Sequence, residues 1–146
     1  MSAALDRRRR ALLGAAAGIA AVALAPPLAA QDARSAAAQN AARDWLALAD
    51  RLDGAASWNA AGTKFRDAAP VDDWTRALKQ VRGPLGALTA RAVDSTRFAG
   101  SFPGFPDGDY AVIVFRASFA NKAVGRETVT LEREGDDWRV VGYLIA

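Results

Sequence analysis

The 146 residues of this chain include neither cysteine nor histidine. Without cysteine there is no disulfide, no thiol nucleophile and no attachment point for a lipoprotein anchor. Without histidine there is no imidazole for proton transfer near neutral pH and no serine–histidine triad, and the loss of both residue types removes the usual zinc and haem ligands. No glycine-rich phosphate-cradling loop stands between a strand and a helix. No cofactor and no metal are therefore expected, and stability has to come from a packed core.

Net charge is also scarce where it would matter. The formal charge is +3, but Arg7, Arg8, Arg9 and Arg10 crowd the first ten residues with only Asp6 against them. Setting these five aside, the 19 Lys and Arg and the 16 Asp and Glu reduce to fifteen of each. A neutral body lacks the broad basic footprint of a nucleic-acid binder, so no nucleic-acid partner is expected.

Residues 1–30 have the three parts of an export signal. A charged start ends at Arg10. An uncharged run from Ala11 to Ala25 carries Leu12, Leu13, Ile19, Val22 and Leu24. Pro26-Pro27-Leu28-Ala29-Ala30 then breaks the helix and offers small residues to a signal peptidase, with cleavage expected after Ala30. Arg9-Arg10-Ala11-Leu12-Leu13 resembles the twin-arginine export signal, and an ordinary secretory signal with an arginine-rich start fits equally well. The apolar run is shorter than the roughly 20 residues of a membrane span. Residues 31–146 are thus expected as one periplasmic or secreted domain with no membrane span after cleavage. At about 116 residues it can bury roughly two-thirds of its unfolded surface.

Helical spacing comes first in the body. Ala41, Trp45, Leu48 and Leu52 recur at four, three and four, which predicts a helix over Gln31–Leu52 with Trp45 as its core anchor and Asp53-Gly54 as its stop. A short helix is expected within Ala55–Ala68, anchored by Trp58 and Phe65 and interrupted near Gly62-Thr63. Val71, Trp74, Leu78 and Val81 mark another helical face. Asp72 and Asp73 suit its first turn, Lys79 and Arg82 its last, and Gly83-Pro84 ends it.

The remainder reads as strands. Ala87–Phe98 alternates poorly, with Arg91 and Arg97 counted on the face of Val93, and is assigned to a sheet edge. Ala99–Gly108 is a loop bearing Phe102 and Phe105. Tyr110–Phe119 is apolar on both faces and so needs cover on both. Asn121-Lys122 marks a turn, after which Val129 and Leu131 oppose Thr128, Thr130 and Glu132. Glu134–Asp137 is a hairpin turn, and in the last run Trp138, Val140, Gly142 and Leu144 alternate with Arg139, Val141, Tyr143 and Ile145. Helices followed by four antiparallel strands make an α+β fold, with N-terminal helices packed on one face of a curved sheet.

Several short stretches together carry a family resemblance: Ala-Ser-Trp-Asn at 56–59, Phe65, Trp74, Val-Arg-Gly-Pro-Leu-Gly at 81–86, Phe-Pro-Asp-Gly-Asp-Tyr at 105–110, Phe-Ala-Asn-Lys at 119–122, Glu-Thr-Val-Thr-Leu at 127–131 and Trp-Arg-Val-Val-Gly-Tyr at 138–143. The chain resembles an exported bacterial family known only as domain of unknown function four-thousand-nineteen. The resemblance implies an envelope location and no established activity. More loosely, the layout is similar to the cystatin-like and NTF2-like folds, a likeness of fold alone.

Three functional readings follow. The first is a non-catalytic periplasmic domain that binds a partner protein or a small ligand. Its candidate contacts are Trp58 and Trp74, which otherwise read as core, Arg82, which otherwise reads as helix-end electrostatics, and Lys122 with Glu127, expected to flank one hairpin and pair across it. The second is a small cavity enzyme in which Asp94 and Tyr110 or Tyr143 form an acid–base pair of the NTF2-like kind. Its plainer counterpart leaves Asp94 solvated on an edge strand. The third is a self-associating envelope protein, a homodimer through the edge strand.

Overall fold

A computed structural model describes residues 27–146. The charged and apolar parts of the expected leader lie outside the described residues. Four helices precede a four-stranded antiparallel sheet.

Helix α1, Leu28–Asp50, buries Ala38, Ala42, Trp45, Leu46 and Ala49 along one face. The alanines let the helix lie close against the sheet, and Trp45 is the anchor that its spacing predicts. Leu28 through Ala33 are exposed, so the first turns of α1 project beyond the body. The stop differs from the expected one. Leu52, not Gly54, takes the left-handed conformation, with φ 56°. Asp53 instead caps helix α2, Gly54–Ala60, its carboxylate accepting the Ala56 amide at 3.0 Å. Gly54 is required for a different reason: a Cβ there would lie 2.1 Å from Thr75 Oγ1 on the helix packed against it.

The short helical piece expected within Ala55–Ala68 breaks at the expected interruption, with α3, Thr63–Ala68, separate from α2. Ser57 ties α2 to the helices before and after it. Fully buried, it accepts the Trp45 indole on its carbonyl at 2.8 Å and the Trp74 indole on its hydroxyl at 2.9 Å. Helix α4, Val71–Arg82, carries its acids and bases at the ends where the helix dipole favours them. One tight turn, Gly83–Leu85, and Gly86 at φ 75° lead into the sheet.

The strands are β1 (Leu88–Ala99), β2 (Tyr110–Phe119), β3 (Lys122–Glu134) and β4 (Asp137–Ile145), adjacent in that order. β1 is an edge, as its charges indicate. In β2, Ala111, Ile113 and Phe115 join the core beneath the helices. Tyr110, on the opposite face, is covered by Phe102 and Phe105 of the preceding loop, and its hydroxyl donates to the Pro106 carbonyl at 2.7 Å.

Two of the sheet's register shifts, one in β1 and one in β4, bear on which side chains face the helices. Val93 pairs with Phe115 but Ser95 with Val114, so Asp94 is an extra residue. Arg91 and Val93 before it, and Thr96 and Phe98 after it, share the helix side. This overturns the expected grouping of Arg97 with Arg91 and Val93, because Arg97 falls on the outer face. In β4, Leu131 pairs with Val140 and Thr130 with Gly142, which makes Val141 the extra residue. Trp138 and Val140 therefore share a side with Tyr143 rather than with Gly142 and Leu144. The sheet curls: the Phe98 and Trp138 rings meet at 5.8 Å, although three strand spacings, about 14 Å, separate β1 from β4 in a flat sheet. Among the described residues no helix is long and apolar enough to cross a membrane.

Candidate functional site

The chemistry-bearing side chains converge where the last turns of α1 and α4 meet the sheet. Asp50 ends α1, Arg82 ends α4, Arg91 comes from β1, Glu127 from β3 and Tyr143 from β4. Arg91 is forked on both sides. It reaches the two oxygens of Asp50 at 2.8 Å each, and Glu127 at 2.7 and 3.1 Å. Arg82 donates to Asp50 at 2.6 Å and to the Tyr143 hydroxyl at 3.3 Å, and it stands 3.6 Å from Glu127. Tyr143 donates to Glu127 at 2.8 Å. The Phe119 ring lies 4.8 Å from the Arg82 guanidinium.

Two cations and two anions balance. Glu127 is wholly buried and Arg82 nearly so. Such a cluster survives removal from water only when each charge is paired in good geometry, and among the buried side-chain polar atoms of the described residues Arg82 Nε alone has no partner. The protonation states follow. Burial by itself would raise the Asp50 pKa, but hydrogen bonds from Arg91 and Arg82 outweigh it and hold the carboxyl below its ordinary value. Burial works against the charge of Arg91, and its bonds to Asp50 and Glu127 prevail and push its pKa up. Burial and the Glu127 carboxylate raise the Tyr143 phenol. The cluster holds Asp50 ionised and Tyr143 protonated and commits both to neighbours, so neither is free to exchange a proton with a substrate.

The sequence candidates scatter around this centre. Arg82 and Glu127 belong to it. Glu127 does not pair with Lys122, since both lie on β3, with Lys122 opposite Phe119 and Glu127 opposite Phe115. Asp94, at the bulge, pairs with Arg116 at 3.0 Å and Arg126 at 3.3 Å on the outer face. The hydroxyl of Tyr110 is held by Pro106 and that of Tyr143 by Glu127 and Arg82, so the expected Asp94–tyrosine pair is not formed. Trp58 donates to the Ala69 carbonyl at 2.9 Å. Trp74 packs edge-on against Phe65 and Tyr143.

Asp50 and Arg91 are the members that sequence reasoning missed. Asp50 had a signal: an acid in the last turn of a helix opposes the helix dipole and needs a compensating cation.

Beside the cluster, α4 and β4 enclose an apolar groove of about 220 Å³ lined by Trp74, Leu78 and Val81 on one wall and Tyr143, Leu144 and Ile145 on the other. Tyr143 lines this groove while its hydroxyl is bonded to Glu127 and Arg82. A wider depression of about 430 Å³ lies between α1 and the β3–β4 turn, with Asp44, Asp136 and Asp137 near Trp138. Among the described residues no acidic group of three or more is arranged to hold a metal ion.

A family model described as "Protein of unknown function (DUF4019)" matches residues 41–143. No curated protein and no solved structure matches the chain.

Proposed function

Because the chain belongs to the DUF4019 family of proteins of unknown function, we propose a role from its own build: a non-catalytic domain, exported to the periplasm, that binds a protein partner or a small ligand. The observation that carries this reading is the division of labour between the two features at the end of α4. The buried charges and the phenol are spent on one another, whereas the accessible groove beside them is apolar and lined by no charged side chain. A site of that kind recognises by contact and burial and not by proton transfer.

Export is supported by where the body begins. Leu28, Ala29 and Ala30 are exposed, the first buried residue of α1 is Ala38, and the family match starts at residue 41. Cleavage after Ala30 would remove no core side chain. The acid–base alternative is not favoured, since Asp94 lies with two arginines on the outer face and both tyrosine hydroxyls are occupied.

Cell fractionation with sequencing of the purified protein's N-terminus tests the address. The expected result is a periplasmic or secreted protein starting within a few residues of Gln31. A cytoplasmic protein that keeps Arg7–Arg10 would overturn it. For the binding role, melting shifts across a metabolite panel should not be accompanied by turnover of any compound, and a consumed substrate would refute the non-catalytic reading.

A further inference from the structure

We propose that the second half of β4 accepts an extended, uncharged segment of another polypeptide as a fifth strand, with alternate side chains entering the groove beneath α4. This rests on the binding role above and specifies the partner's chemistry.

The hydrogen-bonding edge comes first. Ala146 and Arg126 exchange amide–carbonyl bonds at 2.9 Å each. In an antiparallel ladder such reciprocal pairs alternate with non-bonded ones. Leu144 and Gly142 therefore bond to β3, and Tyr143 and Ile145 turn their amides and carbonyls to the free edge. The other edges of the described sheet are less receptive. β1 is broken by two register shifts, the usual way to blunt an edge, whereas the shift in β4 lies before Gly142 and leaves Gly142–Ile145 regular. The first half of β4 is already met by α3's lead-in, where the Gly62 amide donates to the Val140 carbonyl at 2.7 Å.

The groove supplies the side-chain pockets. Tyr143 and Ile145 point to one face of β4 and Leu144 to the other, yet all three line it. It must therefore straddle the strand's edge, where an added strand would lie. Strand addition combines main-chain bonds for affinity with pockets for alternate side chains. The uncharged lining selects an uncharged segment, and β-branched or aromatic residues suit its extended form.

Size decides between occupants. The receptive stretch, Gly142–Ile145, is about 13 Å long, and its groove presents a handful of side chains. A stable dimer needs roughly 20–30 residues on each side, so the site suits a peptide segment better than a second copy. A small ligand would use the groove alone, whereas an added strand also engages the edge amides of Tyr143 and Ile145.

The test is a titration of the isotopically labelled protein with the capped hexapeptide Val-Thr-Val-Thr-Val-Thr, and with the same peptide N-methylated at alternate residues, followed by amide NMR. The expected result is saturable shifts confined to β4 and the facing side of α4, with exchange of the Tyr143 and Ile145 amides slowed about tenfold or more. The N-methylated peptide and a Val81→Lys variant of unchanged melting temperature should each bind about tenfold more weakly. Equal binding of the N-methylated peptide, shifts confined to the outer sheet face, or no shift up to millimolar peptide would overturn the proposal. Concentration-dependent doubling of mass through β4 would also overturn it, in favour of a second copy. A silent titration alongside a partner crosslinked elsewhere would sink this inference and leave the binding role standing. A positive titration of a protein retained in the cytoplasm would do the reverse to the export reading.

Discussion

Two aspartates in this molecule are each bridged by two arginines, and they are not equivalent. Asp50 holds Arg82 and Arg91 on the helix side of the sheet, and Asp94 holds Arg116 and Arg126 on the outer side. The carboxylates themselves differ little, at 20% and 29% side-chain exposure. The arginines differ greatly: 2% and 10% exposed within, 74% and 62% without. A solvated guanidinium loses little when its partner goes, because water replaces it. A buried one has no such replacement. The worth of an ion pair here is therefore set by how far its cation is from water.

The largest expected effect is at the arginine that grips both acids of the inner cluster. Arg91→Ala should lower unfolding free energy by about 3–5 kcal/mol in urea titration, and Arg116→Ala by no more than about 0.5 kcal/mol. Equal losses would break the comparison. Next comes geometry at constant charge. Arg91→Lys keeps the cation but cannot fork to two carboxylates, and should cost about 2 kcal/mol, while Arg116→Lys should be silent in the same titration.

Tyr143→Phe removes one donor to Glu127 and should cost about 1 kcal/mol. Its pH signature is alkaline. The phenol's folded pKa is raised above its ordinary value of 10.0, so its stabilisation is complete below that value and is lost as pH climbs through the folded pKa. The Phe variant should lack this component of the alkaline decline, as read from melting temperatures.

At acid pH the sign reverses. Asp50 has a folded pKa below 3.8, so its stabilisation is complete above that value and is lost as pH falls through the folded pKa, because the unfolded chain takes up the proton first. An Asp50→Asn variant should therefore show a flatter acid limb than the native protein. Asp94→Asn should be as mild as Arg116→Ala, within about 0.5 kcal/mol and further diminished by added salt.

Much of the fold could be read from residue order. The ends of α4 were legible because Asp72, Asp73, Lys79 and Arg82 agree with the dipole while Val71, Trp74, Leu78 and Val81 agree on one face. β2 was legible because both of its faces are apolar. The bulges left no such trace. Val141 repeats the type of Val140, and Asp94, the one acid of β1, passes for an ordinary edge-strand charge; each reverses the inside–outside parity of everything after it, which misplaced Arg97 and Leu144. The charged cluster was half visible. Arg82 looked like an ordinary helix-end cation and Glu127 like a hairpin charge, since each has a sufficient local explanation. Only Asp50, placed against its own helix dipole, called for a distant partner.

The bulge at Asp94 has a consequence for how this strand tolerates change. Its side chain is a solvated accessory, but its backbone counts as a spacer between Val93 and Ser95. Shortening the chain by that one residue would restore a regular ladder in the same pairing, Val93 with Phe115 and Ser95 with Val114, so Thr96 and Phe98 would stay on the helix side and keep the contact with Trp138. Position 94 is thus permissive to replacement and to deletion, whereas one residue inserted into the regular stretch after Ser95 would turn the rest of the strand over, a distinction that an alanine scan would never reveal.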